Sequence, residues 1–80
     1  MELIIELNTI NRVKDFSTKA FLQPFNMELC DNTYTVNAKS ILGIFSLDLS
    51  GFITLIIHDD GYESECDAFL ESIKNYIVGD

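Results

Sequence analysis

Eighty residues, 48% of them hydrophobic, suffice for one buried core and not for two, so a single domain over residues 1–80 is expected, with any functional site on its surface. A formal charge of −8, from 13 acids against 5 bases, repels phosphate backbones and anionic lipid headgroups and sets nucleic acid and membranes aside as partners. No stretch approaches the roughly 18 apolar residues of a membrane span, and Glu2 and Glu6 argue against a secretory leader, so a cytoplasmic location is expected.

Residues Glu2 to Leu7 alternate, with Leu3, Ile5 and Leu7 on one side, as in a strand with one buried face. After Asn8 and Thr9, the apolar positions Val13, Phe16, Ala20 and Phe21 follow helical spacing, which predicts a helix over Arg12 to Gln23 with Asn11 as N-cap and Pro24 as its stop. Phe25, Met27 and Leu29 alternate with polar neighbours, and so do Tyr34, Val36 and Ala38 beyond the turn-like Asp31-Asn32, so these segments read as a hairpin. Ser40 to Leu47 has the content of a short helix with Ser40 as N-cap. The β-rich run Phe52 to His58 suits a central strand, and Asp59-Asp60-Gly61 a turn. Cys66, Phe69, Leu70, Ile73 and Ile77 then recur at helical spacing, with acids early and Lys74 late, as the helix dipole favours. The order implies an α+β domain, βαββαβα, with an antiparallel sheet and helices on one face, and with Phe16, Phe21, Phe69, Leu70 and Ile73 between helices and sheet.

Charge is unevenly placed. Asp59, Asp60, Glu63, Glu65, Asp67, Glu71 and Asp80 crowd the last segment against Lys74 alone, whereas Arg12, Lys14 and Lys19 form a basic corner on the first helix. Neither Cys30 nor Cys66 has a second cysteine or a histidine at ligand spacing, so no metal is expected, and a protein that acts by docking and not by catalysis needs no cofactor. Cys66, on an apolar helical stripe, reads as a small buried hydrophobe.

The segment Thr35-Val36-Asn37-Ala38-Lys39-Ser40-Ile41-Leu42-Gly43-Ile44-Phe45-Ser46-Leu47-Asp48-Leu49 resembles the regulatory-serine region of HPr, the phosphocarrier of the bacterial sugar phosphotransferase system. The Lys-Ser-Ile-Leu-Gly run, followed by Ser-Leu at the same spacing, carries the resemblance, and the element order extends it over nearly the whole chain. It implies an open-faced β-sandwich with a four-stranded antiparallel sheet.

The phosphocarrier motif departs from the family pattern. HPr proteins hold the phosphoryl group on a histidine between the first strand and first helix, followed by an arginine and a proline. Here the junction reads Asn8-Thr9-Ile10-Asn11-Arg12-Val13-Lys14, which puts Asn11 in the histidine's place. An amide nitrogen is barely nucleophilic, because its lone pair is delocalised, so Asn11 marks a degenerate position and the usual carrier cycle is expected to be absent. His58, the only histidine, lies at the end of a strand that should pair antiparallel with the first, far from Asn11 and beside Asp59 and Asp60.

The resemblance implies a non-enzymatic regulatory protein, similar to the catabolite-repression HPr paralogue, with Ser40 phosphorylated by an HPr kinase-like enzyme. Its expected partners are phosphotransferase-system or transcriptional-regulator proteins, docked against Ile41, Leu42, Ile44, Phe45 and Leu47 beside Arg12, Lys14, Lys19 and Lys39. A carrier with an unrecognised acceptor, or an unphosphorylated interaction module on the same fold, would also fit the residues.

Overall fold

The computed structural model describes residues 1–79. Its elements are β1 (Glu2–Ile5), α1 (Ile10–Phe21), β2 (Asn26–Cys30), β3 (Thr35–Asn37), α2 (Ile41–Phe45), β4 (Ile53–His58), α3 (Glu63–Ser72) and β5 (Ile77–Gly79). The strands form one sheet in the order β3-β2-β4-β1-β5, and every neighbouring pair is antiparallel. The expected α+β architecture with an antiparallel sheet is therefore present.

Strand β4 sits at the centre, which accounts for its β-branched run. Its inward side chains Ile53, Leu55 and Ile57 stand opposite Ile5, Leu3, Leu29 and Met27 of the flanking strands. Period-2 alternation thus lines one sheet face with aliphatic groups. Two helices close over that face: α1 buries Val13, Phe16, Ser17 and Ala20, and α3 buries Cys66 and Phe69. Phe69 is gripped edge-on by Phe16 at 6.0 Å and Phe25 at 5.9 Å between ring centroids, an arrangement favoured by the aromatic quadrupole. Ile73 is fully buried beside them, and Leu70 packs at the margin. Gly61, at φ 83°, makes the left-handed turn that feeds α3, a conformation costly for any residue with a Cβ.

Four strands were expected and five are present among the described residues. α3 ends at Ser72, a single 3-10 turn spans Lys74–Tyr76, and Ile77 is the first residue of β5 rather than the last of a helix. The spacing from Ile73 to Ile77 fits a helix, but the free edge of β1 offers backbone partners that a helix end does not. Ile77 pairs with Ile5, and the Glu6 N–H donates to the Tyr76 carbonyl at 2.9 Å.

The start of α1 also differs. The cap is Thr9, not Asn11: Thr9 is extended, at φ −133° and ψ 155°, and its hydroxyl accepts the Arg12 N–H at 3.1 Å. Asn11 therefore lies inside the first turn. Phe21 is 70% exposed instead of core, because the buried stripe of α1 runs Val13, Phe16, Ser17, Ala20 and the next position turns some 100° away from it.

Candidate functional site

Ser40 caps α2 as its sequence context predicts. The residue is extended, at φ −100° and ψ 108°, and its exposed hydroxyl accepts the Gly43 N–H at 3.1 Å. The approach to the cap is held by Asn37, whose side-chain oxygen accepts the Lys39 N–H at 2.9 Å and whose carbonyl accepts the Ser40 N–H at 3.0 Å. An exposed serine oxygen thus stands at the head of a short helix, on a backbone held from both sides.

Of the five apolar residues expected to form a docking face, α2 presents three. Ile41 and Phe45 are exposed and Leu42 is 81% exposed, whereas Ile44 is fully buried and Leu47 nearly so, at 6%. The last two are corrections to the expected surface. Ile44 meets the core from inside α2 and Leu47 joins it just past the Ser46 C-cap, which leaves 41, 42 and 45 outside.

Phe21 and Leu22, which the sequence reading did not assign to a surface, enlarge this patch. Leu22 is 73% exposed at the C-cap of α1. Together with Ser17, Thr18, Lys39 and Ile41 the two line a shallow groove of about 330 Å³ between the end of α1 and the start of α2. The available signal was the adjacency of Ala20 and Phe21, two neighbouring apolar positions about 100° apart on a helix.

The basic residues are used unequally. Lys19 pairs with Asp15 at 2.8 Å and donates to the Ser72 carbonyl at 3.0 Å. Arg12 donates to the Glu6 carbonyl at 3.2 Å, lies 3.7 Å from the Glu6 carboxylate and stacks over the Tyr76 ring at 5.4 Å. Lys39 reaches the Gln23 carbonyl at 2.8 Å, and Lys14 is exposed; neither has an acidic partner among the described residues. Tyr76 also donates to Asp15. The hydrogen bond from Lys19, with that from Tyr76, holds the Asp15 carboxyl below its usual range, and the same contact pushes the Tyr76 phenol up.

Asn11 is exposed in the first turn of α1, and His58 is nowhere near it. Glu2 pairs with Ile56 and the Ile57 N–H donates to the Met1 carbonyl, which places His58 past the start of β1, while Asn11 follows its end. The imidazole instead meets the Glu28 carboxylate across the β2–β4 pair, Nε2 to Oε1 at 2.9 Å. Of the cysteines, Cys66 is buried and its thiol is pushed up by that burial and by Asp59, while Cys30 is half-buried beside the Thr35 hydroxyl.

No protein-family model and no curated protein matches the chain. Among solved structures, the crystal structure of HPr-C-His from Thermoanaerobacter tengcongensis superposes with a TM-score of 0.74 at 26% sequence identity, over 94% of this chain and 92% of that one. The chain's fold is HPr-like. No helix of the described residues is long and apolar enough to cross a membrane.

Proposed function

We propose that this HPr-like chain is a regulatory protein of the phosphoenolpyruvate-dependent sugar phosphotransferase system, phosphorylated on Ser40 and without histidine phosphocarrier activity. An HPr kinase-like enzyme transfers the phosphoryl group from ATP in the cytoplasm. The chain then acts by docking onto phosphotransferase-system or transcriptional-regulator proteins, not by catalysis. The observation that carries this reading is the exposed Ser40 hydroxyl at the edge of an apolar patch formed by Ile41, Leu42, Phe45, Phe21 and Leu22.

A phosphate there adds about 1.5 to 2 negative charges next to large side chains otherwise flanked by Lys39. One modification thus changes the electrostatic character of the whole patch and the set of partners it admits. The absence of carrier activity follows from Asn11, an amide where a ring nitrogen would have to attack and leave. Arg12, the neighbouring cation, supports the same reading because it is turned to Glu6 and Tyr76.

Two incubations test this, each read by intact mass: phosphoenolpyruvate with the system's first enzyme, and ATP with a cognate HPr kinase. The expected result is one phosphoryl group from ATP, lost in Ser40→Ala, and none from phosphoenolpyruvate. Wild-type protein left unmodified by ATP and kinase, or Ser40→Ala modified equally well, refutes the phosphoserine.

A further inference from the structure

Gly43 is crowded in a way its backbone does not require. It lies inside α2 without a positive φ, so a side chain there meets no torsional obstacle, and in a helix interior glycine is less favourable than alanine. Space is the constraint. A Cβ at this position would sit 3.2 Å from the Ser40 hydroxyl oxygen and 3.3 Å from the Val36 Cβ, both tighter than ordinary contact.

The two neighbours differ in their freedom to yield. Val36 is held in β3 opposite Leu29 and packs against the core, so its Cβ is fixed by the backbone. The Ser40 hydroxyl is exposed and moves by rotation about a single bond. Of the two contacts only the one with Ser40 can yield locally, by swinging the hydroxyl off the Gly43 N–H that it now accepts at 3.1 Å.

We propose that Gly43 is the positioning residue of the Ser40 modification site, because its missing side chain keeps the serine oxygen seated on the Gly43 N–H and presented to an incoming phosphoryl donor. This rests on the reading of Ser40 as the phosphorylated residue. In the transfer, one lone pair of the oxygen is engaged by the N–H and the other attacks the γ-phosphorus of the nucleoside triphosphate. The new O–P bond forms as the bond to the bridging oxygen breaks, the nucleoside diphosphate leaves, and the hydroxyl proton passes to a base on the kinase. Gly43 touches none of the reacting atoms of the donor. It sets where the nucleophile stands.

A double-mutant cycle on the full chain separates this role from a merely structural one. Gly43→Ala alone should not raise Tm, since the gain in helix propensity is offset by the lost cap and by the contact with Val36. In the Ser40→Ala background, with no cap to lose and no oxygen to displace, the Tm shift of the same substitution should be more favourable by about 4–8 °C than with Ser40 present, because the Val36 contact is common to both backgrounds. With ATP and a cognate HPr kinase, Gly43→Ala should be phosphorylated about tenfold more slowly, with the loss in kcat and KM held, as expected for a misplaced nucleophile.

Equal Tm shifts in both backgrounds, or equal phosphorylation of Gly43→Ala and wild type, overturn the inference. A Gly43→Ala chain that unfolds with Ser40 present but folds with Ser40→Ala supports it, and one that unfolds in both backgrounds overturns it. Wild-type protein that the kinase leaves unmodified while the cycle remains non-additive overturns instead the phosphoserine reading, and leaves Gly43 the positioning residue of a cap alone.

Discussion

Replacing Tyr76 by Phe removes one hydroxyl and keeps the ring on which the Arg12 guanidinium rests. That hydroxyl donates to Asp15, which also accepts from Lys19, while Lys19 reaches the Ser72 carbonyl. The three side chains thus tie α1, with the groove it helps to form, to the end of α3 and the turn that follows. A hydrogen bond to a charged group contributes about 1.5–3 kcal/mol, but the Asp15 side chain is 42% exposed, so solvent screening reduces this to about 1 kcal/mol. For a domain of this size the expected loss in Tm at pH 7 is about 4–8 °C.

The pH dependence gives a sharper check. The Asp15 carboxyl is lowered from 3.8 by Lys19 and then Tyr76, so its contribution is present above the unfolded value and lost as pH falls through the lower folded one. Tyr76 is raised from 10.0 chiefly by Asp15, so its contribution is present below that value and lost as pH rises through the higher folded one. The gap between wild type and Tyr76→Phe should therefore be widest from about pH 5 to pH 9 and shrink at either extreme. Thermal melts carried beyond both ends of that range measure it, and a gap that is absent at pH 7 or fails to shrink at either extreme would refute the reasoning.

Exposed and buried residues of α2 should respond in opposite ways. Leu42→Asp, at an 81% exposed position, should change stability by less than about 0.5 kcal/mol while weakening partner binding, measured by titration calorimetry with a regulator that binds the phosphorylated chain. Ile44→Ala should cost about 2–5 kcal/mol in denaturant unfolding because it empties a fully buried site. Asn11→His should take up no measurable phosphoryl group from phosphoenolpyruvate and the first enzyme, read by intact mass, because Arg12 remains engaged with Glu6 and Tyr76. Efficient uptake would show that the histidine alone suffices.

Much of the architecture was legible wherever local pattern and burial agree. The alternation in β1 and β2 predicts the inward faces because a strand's side chains have a period of two and only one sheet face is covered. The Ser40 cap was readable for a similar reason, since its hydroxyl bonds an N–H only three residues on. The candidate site was legible in part: Ile41, Leu42 and Phe45 were expected at the surface and are there, but Ile44 and Leu47 were counted with them. A five-residue helix gives too short a pattern to tell which side meets the core.

What the tertiary structure alone decided are the features that depend on residues distant in the chain. Ile77 has helical spacing from Ile73 and becomes a strand because the edge of β1, some seventy residues earlier, supplies its hydrogen-bond partners. Arg12 and Lys19 look free in a local reading, yet Glu6, Tyr76 and Ser72 converge on them when α1 packs beside α3. Phe21 and Leu22 become part of a groove only because α2 docks against the end of α1. Composition and periodicity determine which side chains seek the core; which surfaces face one another is set by long-range pairing and packing, where the partners lie outside any local window.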